Sequence, residues 1–251
     1  TDEYEAAFLA RLAQVTAKTG GYIPPGLDVE GGCDWGNLVG VYPSGVLESF
    51  DPRVSATVEK MRRQKYVEGV MTYGRTFPSG VLHHYLTTNV TQTSIIRDEQ
   101  QDALSDLYAM LAHTSATHAG FETSLRPWAE RDPGGNYPPH GWFAVKYCAV
   151  LRNMLVREQG DELHLFSCLS PEWLKPGDRV AFRNAPTDFG GISARLEARA
   201  DGATIRLEPR FRRPPARLVI HVPWFVTEVR ATCDGQPVPV REDRLEVSPA
   251  A

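Results

Sequence analysis

The sequence predicts two domains, a helical domain over residues 1–160 and an antiparallel β-sandwich over residues 161–251. In the first part, apolar residues recur at helical spacing, whereas the second part consists of short alternating or apolar runs. The change falls at Gly160-Asp161. Turn dipeptides such as Asp201-Gly202 and Asp234-Gly235 separate the later runs, as is typical of β-hairpins.

Length and composition are those of a soluble globular chain. The 251 residues are 42% hydrophobic and 23% charged, with a formal net charge of −4. Without a basic stripe, nucleic acid is not an expected partner. No apolar run approaches the roughly 18 residues that a membrane helix needs, so no membrane contact is expected. The chain opens on Thr1 with no secretion signal, and we expect a truncated amino end, which leaves the compartment open.

Five helices are expected in the first domain. The first carries apolar residues from Tyr4 to Val15, and the second begins at the cap Asp51 with Pro52 in its first turn. The third is expected over about 79–96 and the fourth after the cap Asp98. The fifth, over about 141–157, has the widest apolar face and should be deeply buried.

Long connections between these helices are expected to build a site. The segments at about 19–50, 67–78 and 116–139 are rich in glycine, proline, aromatic and acidic residues. Long loops within compact domains usually carry function. In an up-and-down arrangement the last two segments open at the same end of the helices. The segment at about 19–50 opens at that end too only if residues 36–47 hold a further short inner element, and we expect that they do.

Glu122 is the main candidate for a catalytic carboxylate. It lies in a loop of small and aromatic residues, shortly before the aromatic segment 136–142 that opens the fifth helix. Partial desolvation would move its pKa toward working pH, so that it could exchange a proton with water or a glycosidic oxygen. The alternative is a structural pair with Arg126.

The glycine-rich segment 26–37 offers a second set of candidates. Asp34 and Asn37 could hydrogen-bond sugar hydroxyls, and Trp35 could stack on the face of a pyranose ring. The alternative is a solvated acidic loop. An EF-hand is rejected, because the acid spacing does not fit a calcium-binding loop of that kind.

Glu68 and Tyr73 lie in the second long connection, and His84 opens the following helix. Adjacent His83 and His84 point about 100° apart on a helix, so they cannot readily bind one metal ion. The sequence also lacks the CxxC, HExxH, GxGxxG and phosphate-loop patterns, and we expect neither a metal nor a cofactor. The alternative for His84 is a buried structural histidine.

Several short motifs together resemble the carboxyl-terminal half of the six-hairpin (α/α)6-barrel glycosidases, nearest to the α-L-rhamnosidase-like group. The motifs are Asp34-Trp35-Gly36-Asn37, Tyr73-Gly74, His83-His84-Tyr85-Leu86, His118-Ala119-Gly120-Phe121-Glu122, Arg126-Pro127-Trp128 and Pro139-His140-Gly141-Trp142. The resemblance implies the helical half of an (α/α)6 toroid followed by the β-sandwich. It also implies that the rest of the ring is missing from the amino end, or that another chain covers the open helical face.

The resemblance further implies that Glu122 is the catalytic base of a glycoside hydrolase acting on an oligo- or polysaccharide. Glu68 or Asp34 would be the acid, if this chain supplies one. The expected substrate-binding residues are Trp35, Asn37, Tyr73, His84, Trp128, Asn136, His140 and Trp142. The alternatives are a non-catalytic carbohydrate-binding or assembly protein and, third, a polysaccharide lyase with Tyr73 or His84 as base.

Overall fold

The computed structural model describes residues 2–27, 36–72, 81–122, 125–128 and 137–247. The chain forms two compact units, Thr1–Val150 and Leu151–Ala251. The first unit is mainly helical and the second mainly β-sheet, so the expected mixture of helix and sheet is present. The division between the units falls within the fifth helix, on the amino-terminal side of Gly160.

The helices lie close to their predicted positions. They are α1 (Asp2–Thr16), α2 (Pro52–Lys65), α3 (His84–Ile96), α4 (Gln100–Ala112) and α5 (Gly141–Leu155). A short hairpin of β1 (Tyr66–Val67) and β2 (Val70–Met71) joins α2 to the segment before α3. Among the described residues, no helix is long and apolar enough to cross a bilayer.

The caps of α2 and α4 differ in how well the sequence predicted them. The carboxylate of Asp51 accepts a hydrogen bond from the backbone N–H of Arg53 at 2.8 Å, and Pro52 begins α2 as expected. Asp98, the predicted cap of α4, instead has a positive φ of 62°. Glu99 is the N-cap residue, and its side chain makes no capping hydrogen bond. The predicted cap of α4 was therefore wrong by one residue.

The core of the helical unit is formed by residues from all five helices, including Leu12, Val54, Val90, Met110 and Phe143. Helix α3 supplies the most buried surface, because nearly every one of its side chains is buried. Threonines and a serine make up much of this buried helix, and their hydroxyls donate mainly to backbone carbonyls one turn earlier.

Two expectations about the helical unit were wrong. Helix α5 buries Phe143 and Val150, but Trp142 and Val145 are 69% and 70% exposed, so the helix is not deeply buried. Residues 36–47 form turns, several of them hydrogen-bonded, and neither a helix nor a strand, so the expected short inner element is not present there. Apolar content predicted that these segments would pack, but it could not show which of their faces has a neighbour.

The second unit contains three sheets. The strands of the largest, in spatial order, are β11 (Val240–Arg241), β12 (Arg244–Val247), β8 (Arg217–His221), β4 (Glu162–Leu165) and β3 (Val156–Gln159). The second consists of β5 (Arg179–Thr187), β6 (Gly190–Arg199) and β7 (Gly202–Phe211), and the third pairs β9 (Ala231–Cys233) with β10 (Gln236–Val238). Most pairs are antiparallel, but β4 and β8 are parallel, so the largest sheet is mixed and the wholly antiparallel expectation was wrong.

Alternation along the strands builds the core of this unit. Every second residue of β6 is buried, including Ile192 and Leu196, as expected for a strand with one covered face. These side chains form one hydrophobic cluster with Leu163 and Leu165 of β4 and Ile220 of β8.

Candidate functional site

A tight hairpin supports the loop that carries Glu122. Glu68 and Gly69 connect β1 to β2 with φ values of 53° and 77°, which is the backbone of a two-residue turn that twists with its strands. A Cβ on Gly69 would lie 2.8 Å from the Cβ of Ala109 on α4. Glycine is therefore needed at this position both for its φ and for the close approach to α4.

The hairpin continues into a small β-like platform. Thr72 bridges to Leu82, and Leu82 exchanges two backbone hydrogen bonds with Leu125, at 2.8 and 3.0 Å. Beneath these bonds, Val70 packs with Leu82 and Leu125. The segment that follows Glu122 is thereby attached to the helical unit by both backbone and side-chain contacts.

The segment that precedes Glu122 is held just as closely. The backbone N–H of His140 donates to the carbonyl of Gly120 at 2.9 Å, and the N–H of Phe121 donates to Nε2 of His84 at 3.1 Å. A Cβ on Gly120 would stand 1.9 Å from a ring carbon of Phe143, so only glycine fits here. The backbone at Gly120 and Phe121, directly before Glu122, is therefore held by hydrogen bonds and close packing.

Histidine and aromatic rings lie next to this segment. The ring of His84 meets Phe143 with centroids 4.0 Å apart, and His83 meets Tyr85 at 4.2 Å. Tyr85 in turn contacts His140 at 5.2 Å and Trp142 at 6.3 Å, and both contacts are edge-to-face. We call these six rings the ring cluster: His83, His84, Tyr85, His140, Trp142 and Phe143.

Two histidines of the ring cluster, His83 and His84, are uncharged. Burial is the largest cause that lowers the pKa of His83 to about 3, and the nearby His140 is a smaller cause of the same shift. Burial likewise lowers the pKa of His84 to about 3, with His83 the next largest cause. Because Nε2 of His84 accepts the Phe121 N–H, the proton of this neutral ring is on Nδ1, which has no hydrogen-bond partner among the described residues.

Glu122 is exposed at the edge of the ring cluster. Within the described part of the chain its carboxylate makes no ion pair, so the structural pair with Arg126 is not seen there. It is close enough to Tyr85 to act on its hydroxyl: burial raises the pKa of Tyr85, and the charge of Glu122 raises it further. Glu122 is thus a solvent-accessible carboxylate beside neutral rings.

Three aromatic side chains that follow Glu122 in sequence are exposed. Trp142 is 69% exposed, and it contacts both Tyr85 and His140 of the ring cluster. Tyr137, shortly before α5, is 70% exposed, and Trp128 is 47% exposed. Flat exposed rings of this kind can stack on the C–H faces of sugars.

Glu68 has a different environment from the one expected of a catalytic acid. Its carboxylate accepts from Nε2 of His113 at 2.9 Å and from the backbone N–H of Trp128 at 3.0 Å. The hydrogen bond from His113 is the largest reason why the pKa of Glu68 is lowered. A general acid needs the opposite shift, because it must hold a proton at working pH.

The remaining predicted site residues divide into two groups. Asn37 is buried, and its side-chain amide donates to the carbonyl of Ile23 at 2.7 Å, which braces the core. The other four predicted residues lie outside the described part of the chain: Asp34, Trp35, Tyr73 and Asn136.

Three residues near the candidate site were not among the site residues predicted from the sequence. Tyr85 and Gly120 lie inside the quoted motifs, so their neighbours could have drawn attention to them. His113, the C-cap residue of α4, gives no local signal, because its partner Glu68 is 45 residues away in sequence. Among the residues that the structure describes, no group of three or more metal-binding side chains is placed to hold a metal ion.

No family model and no curated protein matches the chain. A solved structure named "Glycosidase Wild Type" matches with a TM-score of 0.48 at 18% identity, over 59% of this chain and 44% of that one. Another, named "Glycoside hydrolase", matches with a TM-score of 0.47 at 14% identity, over 85% of this chain and 43% of that one. The chain spans less than half the length of either structure. Likenesses this partial assign the chain neither to a family nor to a function.

Proposed function

We propose that this chain acts as a glycoside hydrolase in which Glu122 is the general base that activates water. The observation that carries the proposal is the position of Glu122: an exposed carboxylate, in no ion pair among the described residues, beside neutral rings and exposed aromatic faces. The proposed architecture is half of an (α/α)6 toroid, like that of the rhamnosidase-like group, followed by a β-sandwich. We propose that the missing half of the toroid or another chain covers its open helical face.

A base in such a site must be able to reach water. Glu122 meets this need, because it is exposed and forms no ion pair with a described residue. The rigid backbone around it supports the role, since Gly120 and Phe121 are hydrogen-bonded on one side and Leu125 on the other. A base whose position is fixed in advance loses little entropy when the substrate binds.

The ring cluster and its exposed neighbours suit an uncharged sugar. Trp142 offers a stacking face, because it is 69% exposed and stacking on the C–H face of a sugar needs no charge. His84 is fully buried, so its ring holds the Phe121 backbone and does not itself contact a sugar. Oligo- or polysaccharide is therefore the proposed substrate class.

The two candidates for the general acid are Glu68 and Asp34. Glu68 is disfavoured because hydrogen bonds from His113 and Trp128 lower its pKa. Asp34 remains the candidate from the sequence. An inverting pair would place its carboxyl group about 6.5–9.5 Å from that of Glu122, and a retaining pair about 5–5.5 Å.

A second candidate function is carbohydrate binding without hydrolysis. The environment of Glu68 favours it. Apart from Glu122, Glu68 is the predicted catalytic carboxylate that the structure describes, and it already accepts hydrogen bonds from His113 and Trp128. The polysaccharide lyase receives less support, since Nε2 of His84 accepts a backbone hydrogen bond and the low pKa of this buried ring makes it a weak base.

The experiment is to assay a panel of aryl glycosides and oligosaccharides with the wild-type chain and with Glu122→Gln. Loss of a positioned general base is expected to reduce kcat by about 100- to 10,000-fold with a small change in KM. Glu48→Gln, which alters another exposed glutamate of the helical unit, is the control and should retain activity.

Isothermal calorimetry with the same sugars separates the two candidates. Binding with no turnover by the wild type and by Glu122→Gln alike would exclude hydrolysis and favour the binding protein. Turnover that survives in Glu122→Gln would show that another group is the base.

A further inference from the structure

Both ring nitrogens of His113 face groups that accept hydrogen bonds. Nδ1 lies 2.8 Å from the carbonyl oxygen of Ala109, and Nε2 lies 2.9 Å from a carboxylate oxygen of Glu68. A carbonyl oxygen can only accept, and so can an ionised carboxylate. His113 therefore lies between two acceptors, one on α4 and one on the β1–β2 hairpin.

His113 is the C-cap residue of α4, and its side chain is buried beside the β1–β2 hairpin. Only 5% of the His113 side chain is exposed, whereas 33% of the Glu68 side chain is exposed, so solvent reaches the Glu68 end of the pair. In the described part of the chain, the titratable groups that face it are Glu68 from the hairpin and His84 from α3, and His84 is uncharged.

Glu68 transmits this arrangement to the loop of the proposed site. Both of its carboxylate oxygens accept from the backbone N–H of Trp128, at 3.0 and 3.1 Å. The ring of Trp128 also meets the ring of His113 edge to face, with centroids 5.9 Å apart. These three residues, the His113–Glu68–Trp128 brace, join the end of α4, the β1–β2 hairpin and the segment after Leu125.

We propose that His113 is a positioning residue: acting through Glu68, it holds the loop that carries Glu122. The loop is then fixed at three places, at Gly120 and Phe121, at Leu125 and at Trp128. The effect on catalysis rests on the proposed function, whereas the brace itself can be tested without turnover.

The brace gives opposite expectations for two substitutions of Glu68. Glu68→Ala removes the acceptor for the Trp128 N–H and leaves His113 without its partner. Glu68→Gln is isosteric: its amide oxygen can accept from Trp128, and its amide group can still hydrogen-bond Nε2 of His113. The conservative variant should therefore retain the brace.

The test measures hydrogen exchange at the backbone amide of Trp128 in the full chain labelled with 15N-tryptophan. Trp128→Phe assigns the signal. At neutral pH, Glu68→Ala should lower the protection factor of this amide by about 10- to 100-fold, the effect of losing a hydrogen bond to a charged acceptor. His113→Ala should lower the protection factor in the same direction, because Glu68 then loses the partner that positions it. In Glu68→Gln the protection factor should stay close to the wild-type value, since the amide oxygen can accept from Trp128.

The amide of Trp173, which donates to the carbonyl of Ser170 in the β-sheet unit, is the internal control. Its protection factor should be the same in all variants, which would exclude general unfolding. Unchanged protection of Trp128 in Glu68→Ala or in His113→Ala, or a loss in Glu68→Gln equal to that in Glu68→Ala, would overturn the brace.

Activity provides the second readout. Glu68→Ala should reduce kcat by roughly 10- to 100-fold with little change in KM, because a displaced base slows the chemical step. Glu68→Gln should recover much of this loss, and equal losses in both variants would show instead that Glu68 is an acid. If the wild type hydrolyses no sugar while Trp128 behaves as expected, the proposed function fails and the brace stands.

Discussion

Arg62 of α2 donates to Asp106 of α4 from both of its terminal nitrogens, each at 3.1 Å. The Asp106 side chain is 2% exposed and also accepts from the hydroxyls of Thr91 and Tyr66. Burial raises the pKa of Asp106 to about 6, although the charge of Arg62 opposes the change. These bonds join helices α2, α3 and α4 through one buried carboxylate.

Removing this carboxylate should strongly destabilise the helical unit. Asp106→Ala leaves the guanidinium of Arg62 partly buried without its main partner, and breaking a buried pair in this way costs about 3–5 kcal/mol. Urea unfolding of the full chain measures the change. Asp102→Ala is the matched control, because Asp102 also faces Arg62 but its side chain is 50% exposed, so its loss should cost about 0–1 kcal/mol. Equal losses in the two variants would contradict the importance of the buried pair.

Local signals in the sequence were enough to predict most of the helices. Asp51 and Pro52 set the start of α2 because a cap and a first-turn proline act on the nearest backbone groups. Asp98 failed as a cap for α4 because its backbone adopts a positive φ, which sequence pattern does not report. The predicted burial of α5 was wrong for a different reason. An apolar helix face favours packing, but no described residue covers Trp142 and Val145.

The candidate site could be predicted only in part. The aromatic and histidine motifs led to Glu122, His140 and Trp142, because they cluster along the chain. The His113–Glu68 pair could not be found in this way, since it depends on how the hairpin meets the end of α4. Its consequence is large, because it changes Glu68 from a candidate acid into a hydrogen-bonded support for the loop.

Gly120 should tolerate no side chain. In Gly120→Ala the new Cβ would stand 1.9 Å from a ring carbon of Phe143, so that ring, and the His84 ring it contacts, must move. Overpacking of this kind costs about 1–3 kcal/mol in unfolding free energy, which urea denaturation measures.

Gly141→Ala is the control for this substitution. Gly141 is the first residue of α5, and a Cβ there meets nothing within 4 Å. Alanine favours helix over glycine by up to about 1 kcal/mol, so this variant should be neutral or slightly more stable. A Gly120→Ala protein as stable as Gly141→Ala would show that Phe143 can move aside at little cost.

His164 of β4 is at the centre of a buried polar network in the sheet unit. Its Nδ1 lies 2.9 Å from Nε2 of His221, and its Nε2 lies 3.0 Å from the carboxylate of Glu162. Arg157 also contacts Nδ1, at 3.2 Å. Burial lowers the pKa of His164 to about 2, and the charge of Arg157 is the next largest cause. The ring therefore stays neutral in the folded chain.

This neutral histidine should make the chain sensitive to acid. Below the ordinary histidine pKa of about 6.5 the unfolded chain binds a proton that folded His164 cannot, so stability falls as pH falls from about 6.5 toward 2, by up to about 1.4 kcal/mol per pH unit. His164→Asn should be less stable at pH 7, because it disrupts the network, yet lose less stability between pH 7 and pH 4. Urea unfolding at several pH values measures both effects. His118→Asn, at an exposed histidine with positive φ, should keep the wild-type slope. An identical slope in His164→Asn would show that its charge state does not control acid stability.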